Sequence, residues 1–329
     1  MKRVISILVL AAILGLSMAA VAAPKMQLMV YTSMKEVLIS ELIEAFNKKN
    51  PNVMIEYYSA GAGKLMAKIA TEKQANALVC DVLWTSEVPD FYQMKQQGAL
   101  EPYISPEAKN IVSPVKDKEG YFTPARLGTL GVAYNTNKIK TPPATWEDLL
   151  KPEFKGGFAI ANPALSGTSM VSVGMIVENL GWGYIEKLRA NGALMGQGSG
   201  QVVDDTAIGD LTACIGVDYI VINKIKEGAQ LGFAYTDKML VIPSPIAILK
   251  GTKNLVAAKK FIDFMLSFKG QKIIADTYTL PIRADVAIVT GVGLVTPAEA
   301  EKRAMKLDYL KLMSEKEALI EKFTNIMTK

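Results

Sequence analysis

The fold is decided by residues 161–169, which read Ala-Asn-Pro-Ala-Leu-Ser-Gly-Thr-Ser. They follow an apolar run at 158–160 and precede a long helical pattern, which predicts a strand end, a tight loop and a helix start. Ser166 and Thr168 offer hydroxyl groups, Gly167 permits close backbone approach, and the first N–H groups of a helix are free to bind an anion. A plain N-terminal cap explains the same residues, because Ser and Thr are preferred there.

Three earlier stretches repeat this arrangement of strand, short polar loop and helix. Apolar runs at 28–31, 53–57 and 79–84 predict strands, and helical periodicity follows each of them. The repetition predicts an α/β fold with a mostly parallel sheet covered by helices. Hydroxyl or glycine residues stand at the carboxyl end of each strand, where open α/β sheets bind ligands. These residues are Thr32 and Ser33, then residues 59–63, then Thr85 and Ser86.

Each of these helix starts alone fits an ordinary N-cap. Four of them converging on one crevice favour a binding site. Their shared chemistry is N–H and O–H donation, which suits a phosphate, phosphonate, sulfate or carboxylate.

The N-terminus has the pattern of a secretory signal. Lys2 and Arg3 precede an apolar run at 4–14, and small residues follow at 19–23. We expect a signal peptide over residues 1–22, cleaved after Ala22, and a soluble protein exported to the periplasm. No cysteine follows the run to carry a lipid, and no later stretch approaches the roughly eighteen apolar residues of a membrane span.

Composition restricts the remaining function classes. Removing residues 1–22 from the 329 leaves 307, enough for two lobes, and lowers the formal net charge from +5 to +3 because Lys2 and Arg3 are lost. No basic run with interleaved aromatics is present, so we expect no nucleic-acid partner. Cys80 and Cys214 both stand in apolar surroundings, which permits either one disulfide or two buried thiols.

The sequence contains no histidine, which excludes Ser-His-Asp triads, Cys-His nucleophiles and histidine-based zinc helices. Residues 61–65 lack the spacing of a nucleotide P-loop. The glycines at 196, 198 and 200 lack that of a dinucleotide fingerprint, so we interpret them as a flexible connection. We therefore expect neither an enzyme nor a cofactor, and keep an exported hydrolase only as a less favoured alternative.

Residues 145–156 carry a family resemblance. They read Thr-Trp-Glu-Asp-Leu-Leu-Lys-Pro-Glu-Phe-Lys-Gly, and closely resemble the Thr-Trp-x-Asp-Leu-x-x-Pro-x-Phe/Trp-Lys-Gly segment of ABC-transporter periplasmic solute-binding proteins of family 1. The branch is the one that contains ferric-ion, thiamine, sugar-phosphate and aminoethylphosphonate binders. Further landmarks follow the family order at residues 31–33, 81–84, 98–103, 131–135, 257–264 and 280–285.

The resemblance implies a type II periplasmic binding protein: two α/β lobes, a hinge of two crossing strands and a ligand in the cleft between the lobes. The residues place the crossings near 126–134 and 239–249. The first lobe then holds 23–128 and 240–282, and the second holds 129–239 and 283–329. A capping box at 296–299 is expected to open a final helix that lies against the second lobe.

The implied function is the substrate-binding component of an ABC importer, a monomer that docks on an inner-membrane permease. Ferric-binding relatives typically supply adjacent tyrosines, whereas the matching place here has Asp218 and a single Tyr219. This departure favours an anionic organic solute, either a sugar phosphate or an aminoalkylphosphonate, and no metal. An iron site formed by Tyr219 and Asp218, with Tyr134 and Tyr235, is the alternative.

The predicted ligand site has two ends and requires neither lysine nor arginine. The phosphorus oxygens are expected on Ser33, Ala62, Gly63, Thr85, Ser86, Ser166, Gly167 and Thr168. Three aspartates would face the other end of the ligand, accepting from hydroxyls or pairing with an amine, although a solvated carboxylate explains each of them as well. They are Asp205, Asp218 and Asp237, and Tyr134 and Tyr219 complete the set.

Overall fold

The computed structural model describes residues 26–113, 115 and 117–329. The predicted signal peptide, residues 1–22, lies outside them, as does its cleavage site. None of the helices in the described ranges combines the length and hydrophobicity that crossing a lipid bilayer requires.

The strands and helices alternate as the sequence predicts. The strands are β1 (Met26–Thr32), β2 (Val53–Ser59), β3 (Val82–Trp84), β4 (Leu100–Glu101), β5 (Thr123–Asn135), β6 (Phe158–Ala161), β7 (Leu194–Gly196), β8 (Ala213–Val217), β9 (Leu231–Ala234) and β10 (Leu240–Leu249). The helices are α1 (Glu36–Lys49), α2 (Ala62–Gln74), α3 (Val88–Gln96), α4 (Gly167–Leu180), α5 (Trp182–Ala190), α6 (Ser199–Ile208), α7 (Asp218–Lys226), α8 (Leu255–Leu266), α9 (Phe268–Asp276), α10 (Pro297–Arg303) and α11 (Tyr309–Thr328). Short 3₁₀ turns lie at Pro106–Asn110, Glu147–Leu150 and Pro152–Phe154.

Two groups of parallel strands form the two lobes. The sheet order is β2-β1-β3-β10-β5-β8-β6-β7, with β4 beside β10 and β9 beside β5. In the first lobe β1 is parallel to β2 and β3, and in the second lobe β6 is parallel to β7 and β8. The predicted α/β architecture is confirmed, but the sheet is less parallel than predicted. Among the described residues four strand pairs are parallel, and the five pairs that involve β5 or β10 are antiparallel.

The two longest strands, β5 and β10, connect the lobes. They run antiparallel to each other, with Leu240 opposite Leu130 and Ser244 opposite Arg126. Beyond this pairing β5 continues beside β8 and β9, whereas β10 continues beside β3 and β4. These are the crossing strands that the sequence places near 126–134 and 239–249, while the residue boundaries of the lobes stay a prediction.

The hydrophobic periodicity of α1 shows why the helices cover the sheet. Leu38, Leu42 and Phe46 are all fully buried, as residues spaced four apart on one helix face should be. The ring of Phe46 packs edge-on against Phe261 and Phe264, with centroids 5.4 and 5.6 Å apart. This packing fixes α1 and α8 against the same side of the first lobe.

The third strand is shorter than the predicted run of 79–84, because only Val82–Trp84 pair in the sheet. The Asp81 side chain accepts the backbone N–H of Met29 at 2.8 Å, and Val79 is 50% exposed. This side-chain hydrogen bond adds to the backbone one that the Asp81 N–H donates to the Met29 carbonyl at 2.9 Å, just before β3 begins.

Both cysteines are free and buried, so the two-thiol alternative is the one observed. Burial raises the pKa of the Cys214 thiol to about 12 and also raises that of Cys80. Both groups are therefore neutral and unreactive at ordinary pH.

The C-terminal tail differs from the prediction of one helix after the capping box. Thr296 caps only the short α10, and the chain then pairs at Ala304 with Met239. A new helix, α11, begins after Asp308, whose carboxylate accepts two backbone N–H groups. This helix packs against α4 and α5 of the second lobe, as predicted, and also against α3 of the first lobe.

Candidate functional site

A cavity of about 440 Å³ lies between the two lobes. The starts of α1 and α2 line it from the first lobe, and the loops that precede α4 and α6 line it from the second. Seven of the predicted site residues line this cavity: Ser33, Ala62, Ser86, Ser166, Gly167, Thr168 and Tyr219. The strand ends that the sequence singled out therefore do meet in one crevice.

Three hydroxyl groups form a triangle on the second-lobe wall of the cavity. The Ser166 hydroxyl lies 3.0 Å from that of Thr168 and 2.6 Å from that of Ser199, and the last two are 2.8 Å apart. Ser166 also caps α4, because its Oγ accepts the N–H of Ser169 at 3.3 Å. Each of these hydroxyls can redirect its proton toward a bound acceptor.

Ser199 is not among the predicted site residues, because the glycine spacing of 196–200 predicts a flexible connection, whereas the structure has a strand end and a helix start there. The segment joins the end of β7 to the start of α6, and Gly198, Ser199 and Gly200 all line the cavity. It is a fifth strand–loop–helix start, like the four predicted at residues 32–33, 59–63, 85–86 and 161–169. The signal was the serine after Gly198, at the head of a helix-compatible run.

On the first-lobe wall the hydroxyls are held by one another and by an arginine. The backbone N–H of Ser86 donates to Ser33 Oγ at 3.3 Å, and Ser86 Oγ lies 2.9 Å from Ser244 Oγ. Arg126 Nε donates to Ser244 Oγ at 3.1 Å, and its Nη2 approaches Ser86 Oγ at 3.4 Å. The network positions Ser86 and Arg126 at the cavity surface.

Cationic side chains do line the cavity, contrary to the prediction of an uncharged cradle. Arg126 stands on β5, where the strand crosses between the lobes, and Lys35 and Lys64 stand near the starts of α1 and α2. Arg126 is 1% exposed, whereas both lysines are exposed. The sequence signal for Arg126 was a lone charge within the long extended run of residues 122–134.

Asp218 does not line the cavity, contrary to the prediction. Its contacts are those of a structural residue. Its carboxylate is fully buried and accepts from the N–H and hydroxyl of Thr129 at 3.0 Å and from the Thr279 hydroxyl at 2.8 Å. Arg126 lies 3.6 Å from it as the paired cation. Burial raises the pKa of Asp218, while Arg126 and the hydrogen bonds oppose that rise.

Five further predicted residues do not line the cavity. Asp237 is exposed, Asp205 lies in the body of α6, and Tyr134 packs near Gly232 of β9. The backbone N–H of Thr85 donates to the Pro245 carbonyl within the sheet, at 3.2 Å. Gly63 instead faces the carbonyl of Ala164, where the two lobes touch.

The lining of the cavity contains no aspartate or glutamate among the residues that the structure describes. Those residues also include no group of three His, Cys, Asp or Glu side chains that could hold a metal ion. The Tyr219 hydroxyl accepts the backbone N–H of Lys35 at 2.8 Å, and its ring lies 5.0 Å from the Arg126 guanidinium. The site is therefore rich in donors and positive charge.

A second cavity, of about 820 Å³, lies behind the crossing strands. Leu127 lines it, whereas the adjacent Arg126 lines the interlobe cavity, because neighbouring residues of a strand face opposite sides. Its walls are mostly apolar, with Val241, Pro243 and Met305 among them, and it contains none of the predicted site residues.

The sequence of the chain matches a known protein family. The family model described as bacterial extracellular solute-binding protein matches residues 31–272 of the chain. A Salmonella typhimurium protein named for periplasmic 2-aminoethylphosphonate binding is 26% identical over 257 residues, which cover 74% of this chain and 73% of that protein.

Solved structures share the architecture. The periplasmic binding protein AfuA from Actinobacillus pleuropneumoniae, with exogenous fructose-6-phosphate bound, is 25% identical with a TM-score of 0.81, over 92% of this chain and 98% of that one. Iron-bound HitA from Pseudomonas aeruginosa is 23% identical with a TM-score of 0.76, over 90% and 99% of the two chains. The second likeness concerns the fold alone.

Proposed function

Because the chain belongs to the bacterial extracellular solute-binding protein family, we propose that it captures a small hydroxylated phosphate ester for an ABC importer. The solute binds between the lobes, and the loaded protein docks on an inner-membrane permease. Export through the signal peptide at residues 1–22 places the chain, as a monomer, in the periplasm.

One observation carries the choice of an anionic solute: hydroxyls, helix starts and cations converge on a cavity whose described lining has no carboxylate. Ser166, Thr168 and Ser199 present hydroxyls at the N-terminal ends of α4 and α6, where free N–H groups favour negative charge. Arg126 adds a fixed cation on the opposite wall. The phosphoryl oxygens would accept from these groups.

The same lining favours a phosphate ester over an aminoalkylphosphonate. An ammonium group needs a carboxylate or several acceptors when it leaves water, and Asp205, Asp218 and Asp237 do not line the cavity. Gln197, Gln201 and Tyr58 do line it, and their amide and phenol groups suit ligand hydroxyls. A sugar phosphate matches this combination of groups.

The contacts of Asp218 and Tyr219 argue against the ferric alternative. The Asp218 carboxylate is occupied by Thr129, Thr279 and Arg126. A cation next to Tyr219 would also meet the guanidinium of Arg126, 5.0 Å from the ring.

We also propose that the chain has no catalytic step. The Ser166, Thr168 and Ser199 hydroxyls contact one another in place of a general base, and the sequence contains no histidine. Binding then acts by stabilising the closed arrangement of the lobes, through the higher affinity of the ligand for that form.

The test is a titration of the purified mature chain with fructose 6-phosphate, 3-phosphoglycerate, 2-aminoethylphosphonate and ferric citrate. Binding is measured by isothermal titration calorimetry and by the shift in melting temperature. We expect the phosphate esters to bind and to raise the melting temperature. Ser199→Ala and Thr168→Val should each weaken fructose 6-phosphate binding about tenfold to hundredfold, because each removes one hydrogen bond to a charged group. Neither position caps a helix by its side chain.

The matched control is Ser314→Ala, an exposed serine on α11 far along the chain from the cavity loops. It should leave both affinity and melting temperature unchanged. Stabilisation by ferric citrate or 2-aminoethylphosphonate without stabilisation by either phosphate ester would contradict the proposal.

A further inference from the structure

The two lobes touch each other through glycines. A Cβ atom placed on Gly61 would lie 2.1 Å from the carbonyl oxygen of Leu165, and one on Gly63 would lie 2.2 Å from that of Ala164. From the other side, a Cβ on Gly167 would lie 2.8 Å from the Cβ of Ala62. All three separations are far below the roughly 3.5–4.0 Å of an ordinary carbon contact.

The obstacles at Gly61 and Gly63 are backbone atoms of the opposite lobe. No side-chain rotation can move a carbonyl oxygen away, so a side chain at either position requires the lobes to separate. The first lobe supplies the start of α2, and the second supplies the loop between β6 and α4. The contact therefore exists only when the cleft is closed.

The backbone does not otherwise need glycine at these positions. Gly61, Gly63 and Gly167 are absent from the residues with positive φ, and Gly61 has φ −60°. Gly63 and Gly167 lie in the first turns of α2 and α4, where alanine is the better helix former. Each lobe taken by itself would accept alanine.

We infer that Gly61, Gly63 and Gly167 are positioning residues that set how far the cleft can close. Closure to this distance brings Ser33 and Ser86 of the first lobe opposite Ser166, Thr168 and Ser199 of the second. A side chain at Gly63 holds the walls apart, so that one ligand cannot contact both. This inference refines the predicted role of Gly63 from ligand contact to lobe contact, and it rests on the proposed binding function only for its effect on affinity.

The test compares Gly63→Ala with Gly183→Ala. Both glycines are the second residue of their helices, Ala62–Gln74 and Trp182–Ala190, and a Cβ on Gly183 would meet nothing within 4 Å. Spin labels at Glu41→Cys in α1 and Glu186→Cys in α5, both exposed positions, report the distance between lobes. The native cysteines are buried and should not react with the label.

We expect the unsubstituted chain and Gly183→Ala to show the short interlobe distance of the closed form, enriched by fructose 6-phosphate. Gly63→Ala should lack that distance with or without the probe, bind the probe at least tenfold more weakly, and keep an unchanged or higher melting temperature. A closed population in Gly63→Ala, or no closed population in any chain, would overturn the inference. If no chain binds fructose 6-phosphate, but the unsubstituted chain and Gly183→Ala show the short distance without the probe and Gly63→Ala does not, the proposed ligand is refuted and the glycine contact stands.

Discussion

At the scale of single residues, Arg126 and Asp218 form a buried ion pair that holds Arg126 in the wall of the cavity. Arg126 is 1% exposed and Asp218 is fully buried. Removing one member of such a pair leaves an uncompensated charge in the interior, which costs about 3–5 kcal/mol. The arginine also donates to Ser244 and Thr279, so its position is fixed before any ligand arrives.

We therefore expect Arg126→Met to lower the free energy of unfolding by about 3–5 kcal/mol near neutral pH, measured by urea denaturation. Fructose 6-phosphate binding should weaken at least tenfold, because a cation at the cavity is lost. The double variant Arg126→Met with Asp218→Asn should recover most of the stability but none of the affinity. Full affinity in that double variant would show that Arg126 acts only as a structural group.

The position of a residue in the cavity lining could be predicted where the cue was local. Ser33, Ser86, Ser166 and Thr168 follow strand ends and precede helices, and sheet topology brings those ends together. Arg126 could not be placed in the same way, because its position follows from the pairing of β5 with β10. The burial of Asp218 likewise depends on Thr129 and Thr279, which are distant in sequence.

At the scale of secondary-structure elements, a buried charge cluster joins α11 to the first lobe. Glu87 and Asp90, at the start of α3, are 1% and 2% exposed, and both pair with Lys316 of α11. Burial, with the neighbouring Asp90 as the second cause, raises the pKa of Glu87 to about 8, and Lys316 opposes this rise. The folded chain therefore keeps a proton near neutral pH that the unfolded chain releases.

This proton makes stability depend on pH in a defined direction. Between the ordinary value of 4.5 and the folded value of about 8, the folded state binds more protons, so stability falls as pH rises, by at most about 1.4 kcal/mol per pH unit. Glu87→Gln should remove this slope when unfolding free energy is measured between about pH 5.5 and 7.5. Glu315→Gln, an exposed position on α11, serves as the control. An unchanged slope in Glu87→Gln would show that Glu87 is already ionised.

The helices and strands could be predicted where the hydrophobic periodicity of the sequence was uninterrupted. The apolar spacing in α1 located that helix closely, and the extended runs located β5 and β10. The break between α10 and α11 was not predictable, because it follows from the pairing of Ala304 with Met239. The helix start at Ser199 was obscured by three closely spaced glycines, whose composition suggested flexibility.

At the scale of the whole molecule, the lobes are drawn together by contacts that a ligand would reinforce. The Lys35 N–H donates to Tyr219 across the cleft at 2.8 Å, and the glycines of α2 meet the loop before α4. A solute that contacts both walls stabilises this closed arrangement through its preference for it. The hydroxyls proposed to bind the ligand and the closure contacts adjoin at residues 166–168, so we expect capture and closure to be coupled there.

The most direct test is a crystal structure of the mature chain grown with fructose 6-phosphate. We expect its phosphoryl oxygens about 2.5–3.0 Å from the hydroxyls of Ser166, Thr168 and Ser199, with the sugar hydroxyls toward Gln197 and Gln201. The proposed binding site would be contradicted by phosphoryl density elsewhere, such as in the cavity behind the crossing strands. It would also be contradicted by a closed cleft without density at those hydroxyls.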